Sequence, residues 1–373
     1  MLTSAHSFSG SSASKPGFRL ETLPQALKHG VGALHGESLY FGLGSAGRAW
    51  WRVESGSGQD GARRMADFPG PLREQAIAAT VGPHIYVFGG AGIAKAGSPT
   101  SALTDIYRYD VDGDTWSKLP VDSPRALLGA SALVNGDRVV FVGGICKAVF
   151  DGFFAEQALA ADEAQRQRLT HAYLGADIAS YKFSSEVCAF SPTENTWREL
   201  GRVPGAPVVG AALASCGNTL ALMGGELKPG LRSRANWQAH LGDEDLTWQA
   251  MPELPPGPSE ALQEGLAGAF AGYSHGVLLL AGGSNFPGAQ TRFAAGHRYA
   301  HEGLCKTWRD DIWACVNGVW QWAGRLPQGR AHGLCLGDGE QLLMLGGEAT
   351  GGTALASCIA LEWDGAKARV SHG

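Results

Sequence analysis

Short apolar runs recur along the chain, and each one ends at a pair of glycines. The complete copies "YVFGG", "VFVGG", "ALMGG", "LLAGG" and "LMLGG" end at Gly89-Gly90, Gly143-Gly144, Gly224-Gly225, Gly282-Gly283 and Gly346-Gly347. A degenerate first copy, "LYFGLG", contains Gly42 and Gly44. An apolar run that stops at glycines predicts a buried strand that breaks into a turn. The recurrence of this signal predicts six structural repeats.

A second pattern lies between these copies, where apolar residues alternate up to a turn and a tryptophan follows. Examples are "IYRYDVDGDTWSKLP", "VCAFSPTENTWRELG" and "IWACVNGVWQWAGRLP". Such patterns predict hairpins, so that each repeat contains four short strands. Repeats of this kind predict an all-β fold, a six-bladed kelch-type β-propeller. In such a fold the glycines avoid a clash with the neighbouring blade, and the tryptophan packs between blades.

The longest gap between copies predicts a helical insertion in the third blade, over about residues 146–186 of a single domain that spans residues 1–373. The stretch Ala155–Tyr173 is rich in Ala, Glu, Gln and Arg, which favour helices. We expect the insertion to lie over one face of the disc, where it shapes a binding surface or serves as a packing or dimer element.

The two chain ends predict how the ring closes. The C-terminal stretch "ASCIALEW" resembles the third strand of a repeat that lacks its fourth strand. We therefore expect an N-terminal strand to supply the missing one, which would remove an open sheet edge.

Composition excludes several classes of protein. The 373 residues are 44% hydrophobic and include 11 tryptophans, which excludes a disordered chain, and no run reaches transmembrane length. The net charge is −5 without a basic block, which argues against a nucleic-acid partner. The seven cysteines form no CxxC motif, so we expect neither a zinc site nor a disulfide framework. The N-terminal stretch Met1–Phe18 lacks the apolar core of a secretory signal.

Three short motifs are rejected because their surroundings do not fit. "GLGSAG" matches a dinucleotide-binding pattern, but a strand-like sequence follows it where a helix is required. "GYSHG" matches a nucleophile elbow, but it precedes an apolar strand, so a hairpin turn is favoured. His297 and His301 have helical metal-ligand spacing, yet no helix is indicated there and a third ligand is missing.

Charged residues at equivalent places in the repeats are candidates for a site at the mouth of the central channel. Glu226 and Glu348 each follow a Gly-Gly pair. Three arginines precede apolar strands; for Arg125 we favour a structural role, whereas for Arg73 and Arg330 structural and substrate-binding roles stay open. The loops after two of the Gly-Gly pairs add the last candidates, which are Arg232, His301 and Glu302.

Glu226 is the strongest candidate for catalysis. It lies between Gly225 and the Pro229-Gly230 turn, which predicts a rigid, exposed bend. A carboxylate beside arginines stays ionised and can accept a proton from a bound hydroxyl group, while the arginines hold an anion. The bend therefore predicts a base next to an anion clamp.

Several motifs together resemble the N-acetylneuraminate epimerases, the bacterial sialic acid mutarotases with a kelch-like propeller fold. They are "YFGLGSAGRAWW", "VFDGFF", "GGELKPGLRS", "YAHEGL", "QGRAHG" and "GGEATGG". The resemblance extends from about Pro24 to Trp363, and the combination of "ELKPGLR" with "YAHEG" is its most specific part.

This resemblance implies that the protein interconverts the α- and β-anomers of N-acetylneuraminic acid by ring opening and reclosure. It implies Glu226 as proton acceptor and requires no cofactor. The substrate carboxylate would bind Arg232, Arg73 or Arg330, while His301 or Glu302 would act as the acid or bind hydroxyl groups. Glu348 completes the set of expected substrate-binding residues.

Two other functions stay open at this point. One is a non-catalytic kelch-type module that binds a glycan or a protein, for which no base among arginines is needed. The other is a sialidase-like hydrolase, for which Tyr299 is an available nucleophile. Members of the resembling family are typically periplasmic, whereas this sequence shows no export signal, so a cytoplasmic location stays open, as does a homodimer.

Overall fold

Six four-stranded antiparallel sheets dominate the computed structural model, which describes residues 20–57, 61–242, 246–258, 260–337 and 339–372. The N-terminal stretch Met1–Phe18 lies outside the described residues. We number the sheets as blades 1 to 6 in chain order. Their strands are Val31–His35, Ser38–Gly42, Trp50–Glu54 and Ala62–Arg64; Ile77–Val81, His84–Phe88, Ile106–Asp110 and Thr115–Lys118; Ser131–Asn135, Arg138–Val142, Glu186–Ser191 and Thr196–Arg202; Ala212–Cys216, Thr219–Met223, Asn236–Leu241 and Leu246–Met251; Phe270–Ser274, Val277–Ala281, Asp311–Val316 and Val319–Arg325; and Leu334–Gly337, Gln341–Leu345, Cys358–Trp363 and Ala368–His372.

The blades form a closed ring. The first strand of each blade packs against the first strands of both neighbours, and the cycle closes between Val31–His35 and Leu334–Gly337. These inner strands surround a central cavity of about 660 Å³. The predicted six-bladed β-propeller is therefore confirmed, with its blades arranged around the central channel.

The hydrophobic core lies between the blades. Six clusters of buried side chains are each shared by two adjacent blades. The predicted tryptophans lie there: the indole N–H of Trp116 donates to Ala66 O of the first blade's loop, and Trp197 packs against Phe88 of the second blade. Because a single sheet cannot bury both faces alone, these contacts make the ring the stable unit.

The prediction that an N-terminal strand completes the last blade is wrong. The fourth strand of that blade is Ala368–His372, which pairs with Cys358–Trp363. The described N-terminal residues instead pair with the segment before the third strand of that blade, through a β-bridge between Thr22 and Ser357 and a hydrogen bond from Leu23 N to Ala356 O. The prediction failed because the polar, glycine-containing stretch after Trp363 obscured a short strand that follows one turn later.

The Gly-Gly pair of blade 4 lies where a larger side chain would clash with the neighbouring blade, as predicted. Gly224 has φ 63°, and a Cβ added there would collide with the carbonyl oxygen of Leu266 at the entrance to blade 5. The N–H of Gly225 donates to that same oxygen at 2.7 Å. In blade 1 the pair is replaced by Leu43-Gly44, and Leu43 also adopts a left-handed conformation, with φ 59°.

Two helices form the insertion, where the sequence predicted one. They are α1, Lys147–Leu159, and α2, Glu163–Leu174, so that α1 begins before the predicted stretch. The side chain of Asp162 caps α2 by accepting a hydrogen bond from Gln165 N, which explains the break between the helices. The insertion packs through aromatic rings, with Phe153 stacked on Tyr173.

Small elements build the loops between the second and third strands of the blades. A third helix, α3, Ala289–Ala294, was not predicted. Single turns of 3-10 helix occur at Gly44–Ala46, Ile178–Tyr181 and Thr350–Gly352. Short strands pair within these loops: Ala91–Gly92 and Ser101–Ala102; Glu226–Lys228 and Leu231–Arg232; Ser284–Asn285 and Thr307–Trp308; Glu348–Ala349 and Thr353–Ala354. Ala91–Gly92 also pairs with Arg73–Glu74, which precedes the first strand of blade 2. Among the described helices, none is long and apolar enough to cross a membrane.

We predict that Gly224→Ala lowers the free energy of unfolding by about 2 kcal/mol more than Gly217→Ala, as measured by urea denaturation. Both glycines have a positive φ, at 63° and 55°, so both substitutions strain the backbone similarly. Only at Gly224 would the added methyl group collide with the next blade, because Gly217 has open space around it. Equal losses would contradict the idea that close approach requires this glycine.

Candidate functional site

A ring of backbone hydrogen bonds surrounds one mouth of the central channel. Two residues before each inner strand, the chain adopts a left-handed conformation with φ between 53° and 71°. Five backbone hydrogen bonds of 2.7–3.1 Å link these positions from blade to blade. The six residues at these positions are His29, Gln75, Gly129, Gly210, Gly268 and His332. Since hydrogen-bonded strands lie about 4.8 Å apart, six positions at this spacing form a hexagon about 10 Å across.

Three of these ring residues are not glycine, although a left-handed conformation favours glycine. They are His29, Gln75 and His332, with φ of 53°, 53° and 56°. Such strain persists where the surrounding structure enforces it, and it concentrates at functional sites. The two imidazole rings lie 5.2 Å apart at this mouth.

The residues that follow Gly-Gly pairs lie beside this ring, as the sequence predicted. Glu226 in blade 4 bridges to Val209, and Glu348 in blade 6 bridges to Ala331, each just before a ring residue. Blade 5 has Ser284 at the equivalent position. Two carboxylates therefore flank a small side chain at the edge of the mouth.

Glu226 forms an ion pair with Arg232 across a short hairpin. The two residues face each other in the pairing of Glu226–Lys228 with Leu231–Arg232, and Nη1 of Arg232 contacts Oε1 of Glu226. The side chain of Arg232 is only 3% exposed, whereas that of Glu226 is 24% exposed. Nε of Arg232 donates to Ser284 O at 3.0 Å. The arginine is thus fixed from two sides and holds a carboxylate that solvent can reach.

His301 belongs to the same cluster. Its ring packs against Gly230 and Phe286, and Nδ1 is buried without a hydrogen-bond partner among the described residues. Burial, and then the charges of Arg232 and Lys228, lower the pKa of His301 to about 4. The imidazole is therefore neutral at neutral pH and can act as a hydrogen-bonding group.

Glu348 lies in a second cluster. Its carboxylate is 7% exposed; Oε1 accepts hydrogen bonds from Lys306 Nζ and, at 3.0 Å, from Trp308 Nε1. Nε2 of His29 lies 3.6 Å from Oε2, and Nε2 of His332 lies 4.0 Å from Oε1. These groups come from blades 1, 5 and 6, so only the closed ring assembles them.

Opposing effects set the charge states in this second cluster. Burial alone raises the pKa of Glu348, but the contact with His29 and the hydrogen bond and charge of Lys306 outweigh it and hold that pKa well below its usual range. Burial, and then the charges of Lys306 and His29, lower the pKa of His332 to about 3. At neutral pH, an ionised glutamate is thus paired with Lys306 beside a neutral His332.

The contacts of Arg73 and Arg330 argue for structural roles. Arg73 is buried; it binds both carboxylate oxygens of Asp105, at 2.7 and 3.0 Å, and donates to Gly89 O. Arg330, also buried, donates to the carbonyl oxygens of Gly346 and Ser357, and burial lowers its pKa to about 10.

Arg125 follows the same rule, since it donates to Gly143 O. Each of these three arginines therefore connects the segment before the first strand of a blade to the first glycine of a Gly-Gly pair. The sequence favoured this structural role for Arg125 alone.

Glu302 lies against the helical insertion. Its exposed carboxylate lies 3.5 Å from Nε2 of His171 in α2, beside a cavity of about 370 Å³ between the insertion and the blade 5 loop. Lys228 ties these two segments together, because Nζ donates to the carbonyl oxygens of Ala176 and Arg298 at 2.5 and 2.6 Å. The insertion therefore lies on the same face as Glu226.

Sequence reasoning missed His29, His332, Lys306 and Trp308. A signal was present for the histidines, because "KHGVG" and "AHGLC" place the same His-Gly dipeptide before the first strands of blades 1 and 6. No local pattern marks Lys306, whose partner is 42 residues away. Within the described residues, no group of three or more His, Cys, Asp or Glu side chains could hold a metal ion. All seven cysteines are free thiols.

Comparisons with known proteins agree on one family. A family model described as N-acetylneuraminate epimerase matches residues 20–370. A relative named N-acetylneuraminate epimerase from Yersinia enterocolitica is 41% identical, over 94% of this chain and 90% of its own length. A relative of the same name from Salmonella typhimurium is 38% identical, over 91% and 88%. The solved structure of YjhT superposes with a TM-score of 0.89 at 32% identity, covering 95% of this chain and 99% of that one.

We predict that Arg73→Leu lowers the free energy of unfolding by about 3 kcal/mol, because it leaves the carboxylate of Asp105 without its buried partner. The matched control Arg64→Leu removes an exposed partner of Asp67 and should cost about 1 kcal/mol or less. Urea denaturation measures both. A stable Arg73→Leu protein with a raised KM would restore the substrate-binding interpretation.

We predict that the free energy of unfolding falls less in His301→Gln than in the wild-type protein when the pH is lowered from 6.5 to 4. The folded-state pKa of about 4 lies below the ordinary value of 6.5, so in this window the unfolded chain takes up a proton that the folded chain does not. Stability therefore falls as the pH drops, by up to about 1.4 kcal/mol per pH unit from this group. Urea denaturation at several pH values measures the slope; parallel curves for the two proteins would contradict the prediction.

Proposed function

The chain belongs to the N-acetylneuraminate epimerase family, and we propose that Glu226 is the proton acceptor with which it interconverts the α- and β-anomers of N-acetylneuraminic acid. The observation that carries this proposal is the Glu226–Arg232 pair, a partly exposed carboxylate held by a buried guanidinium beside the channel mouth. A base must reach its substrate while keeping a fixed orientation, and this arrangement meets both needs.

Ring opening begins at the anomeric hydroxyl group. Glu226 accepts its proton, the bond between the anomeric carbon and the ring oxygen breaks, and a general acid transfers a proton to the ring oxygen. The product is the open keto form with a free hydroxyl group. Rotation about the bond to the former anomeric carbon exposes the other carbonyl face. The hydroxyl group then attacks that face, and the two protons return to give the other anomer. No step changes the oxidation state of the sugar, so the reaction requires no redox cofactor.

Arg232 supports this reaction by positioning Glu226. Its side chain is almost fully buried, and its contacts with Glu226 and Ser284 O fix the guanidinium plane. The ion-pair contact engages one carboxylate oxygen, Oε1, and leaves the other oxygen, Oε2, for the substrate. Since little of Arg232 is exposed, its main effect is on the orientation of the base, and binding of the substrate carboxylate falls to other groups.

Two further groups can donate hydrogen bonds to the sugar. Burial, and then the charge of Glu226, raise the pKa of Tyr173, so this residue of α2 stays a phenol at neutral pH. His301 stays neutral and is adjacent to the Gly230 turn of the same hairpin. These contacts favour an enzyme over a non-catalytic binding module, because a module that only binds needs no fixed base of this kind.

The test is anomer exchange measured by proton NMR magnetisation transfer on N-acetylneuraminate at equilibrium. We expect the wild-type protein to accelerate exchange and Glu226→Gln to lose at least about a hundredfold, since general-base catalysis contributes this much or more. Glu199→Gln, a change of the same kind on the exposed outer strand of blade 3, should retain full activity. A folded wild-type protein without acceleration would contradict the proposed activity, and an active Glu226→Gln protein would contradict the assigned base.

A further inference from the structure

The arginines predicted to bind the substrate carboxylate are occupied by other partners. Arg73 binds Asp105, Arg330 binds backbone carbonyl oxygens, and Arg232 binds Glu226 and Ser284 O. A bound carboxylate nevertheless needs a cation or several hydrogen-bond donors to replace its water. The second cluster at the channel mouth provides both.

Lys306 is the cation of that cluster. Its side chain is 27% exposed, its ammonium group lies 4.8 Å from the ring centre of Trp308, and Nζ donates to Glu348. An ammonium group has three hydrogens, and among the described residues only Glu348 accepts one of them. Lys306 therefore has free donors on a partly exposed group, whereas the three arginines are buried.

Glu348 holds this ammonium group in place. Its carboxylate is buried and contacts Lys306, Trp308 and the two ring histidines, so its own oxygens are already engaged. Because Glu348 is nearly inaccessible, a ligand at the mouth meets Lys306 and the histidine edges instead. The buried glutamate thus anchors Lys306: it fixes the position of the ammonium group and keeps the side chain from extending into solvent.

Glu226 and this cluster lie on either side of the segment that leads into the first strand of blade 5. The segment from Gly265 to Gly268 separates them: Arg232 packs against Gly265, and the ring of His332 packs against Gly268. At the position in blade 5 that matches both glutamates, the chain has Ser284, which is fully buried. No long side chain at that position therefore divides the mouth, which is about 10 Å across.

We propose that Lys306, anchored by Glu348, binds the carboxylate of the sugar acid and gives the site its preference for an acidic substrate. The inference rests on the proposed function, because the carbon that carries the reacting hydroxyl group in N-acetylneuraminate also carries the carboxylate. Glu226 in the loop of blade 4 takes the hydroxyl proton, and Lys306 in the loop of blade 5, beside Glu348 of blade 6, holds the carboxylate. The two contacts together orient the anomeric carbon.

The experiment compares N-acetylneuraminate with its methyl ester, which lacks the negative charge but keeps the reacting hydroxyl group. Magnetisation-transfer NMR gives kcat and KM for both compounds. For Lys306→Gln we expect KM for the acid to rise about ten- to a hundredfold, as for the loss of a charge-assisted hydrogen bond. KM for the ester should change less than about twofold. Lys118→Gln, on the exposed outer strand of blade 2, is the matched control and should change neither value.

Lys306→Arg is a second variant that tests the proposal if Lys306→Gln does not fold. It keeps the positive charge, so we expect it to retain a preference for the acid over the ester at a raised KM. Equal effects of Lys306→Gln on acid and ester, or a loss of the preference in Lys306→Arg, would overturn the assignment of Lys306. A wild-type protein that accelerates neither compound would instead overturn the proposed function.

Discussion

The ring of backbone hydrogen bonds at the channel mouth is the constraint on which the rest of the structure depends. Each link joins the residue that precedes one inner strand to its counterpart in the next blade, as between Gly268 and His332. A left-handed conformation at every such position turns the chain so that both N–H and C=O can point along the ring. Since the loops after the Gly-Gly pairs bridge to the neighbouring residues, the ring also sets where Glu226 and Glu348 lie.

The two glutamates show how the same position in a repeat acquires different chemistry. Glu348 is buried, and several donors from three blades compensate its charge, which favours the ionised form and a fixed structure. Among the residues that the structure describes, Glu226 has a single cationic partner, and it remains partly exposed. Burial with many partners produces an anchor, whereas partial exposure with one partner produces a group that can exchange protons with a ligand.

At the level of the fold, sequence patterns that recur in every repeat predicted the strands and blades correctly. Repeated apolar runs, glycine pairs and turn-plus-tryptophan hairpins predicted the blades because each reflects contacts that recur in every repeat. The position of the insertion was also predicted, but its break into α1 and α2 depends on a cap at Asp162 that the helical composition concealed. Ring closure was predicted wrongly, since the choice between two candidate edge strands depends on which one reaches the last blade.

At the level of the site, the sequence by itself determined the Glu226–Arg232 pair, because a tight turn between residues six apart forces them together. It also marked the two glutamates as equivalent. Only the tertiary structure decided that Arg330 donates hydrogen bonds to backbone carbonyl groups. It also decided that Lys306 forms an ion pair with Glu348, which belongs to another blade. The physical reason is that a guanidinium or an ammonium group takes its role from the acceptors around it. Those acceptors come from distant parts of the chain, which only ring closure brings together.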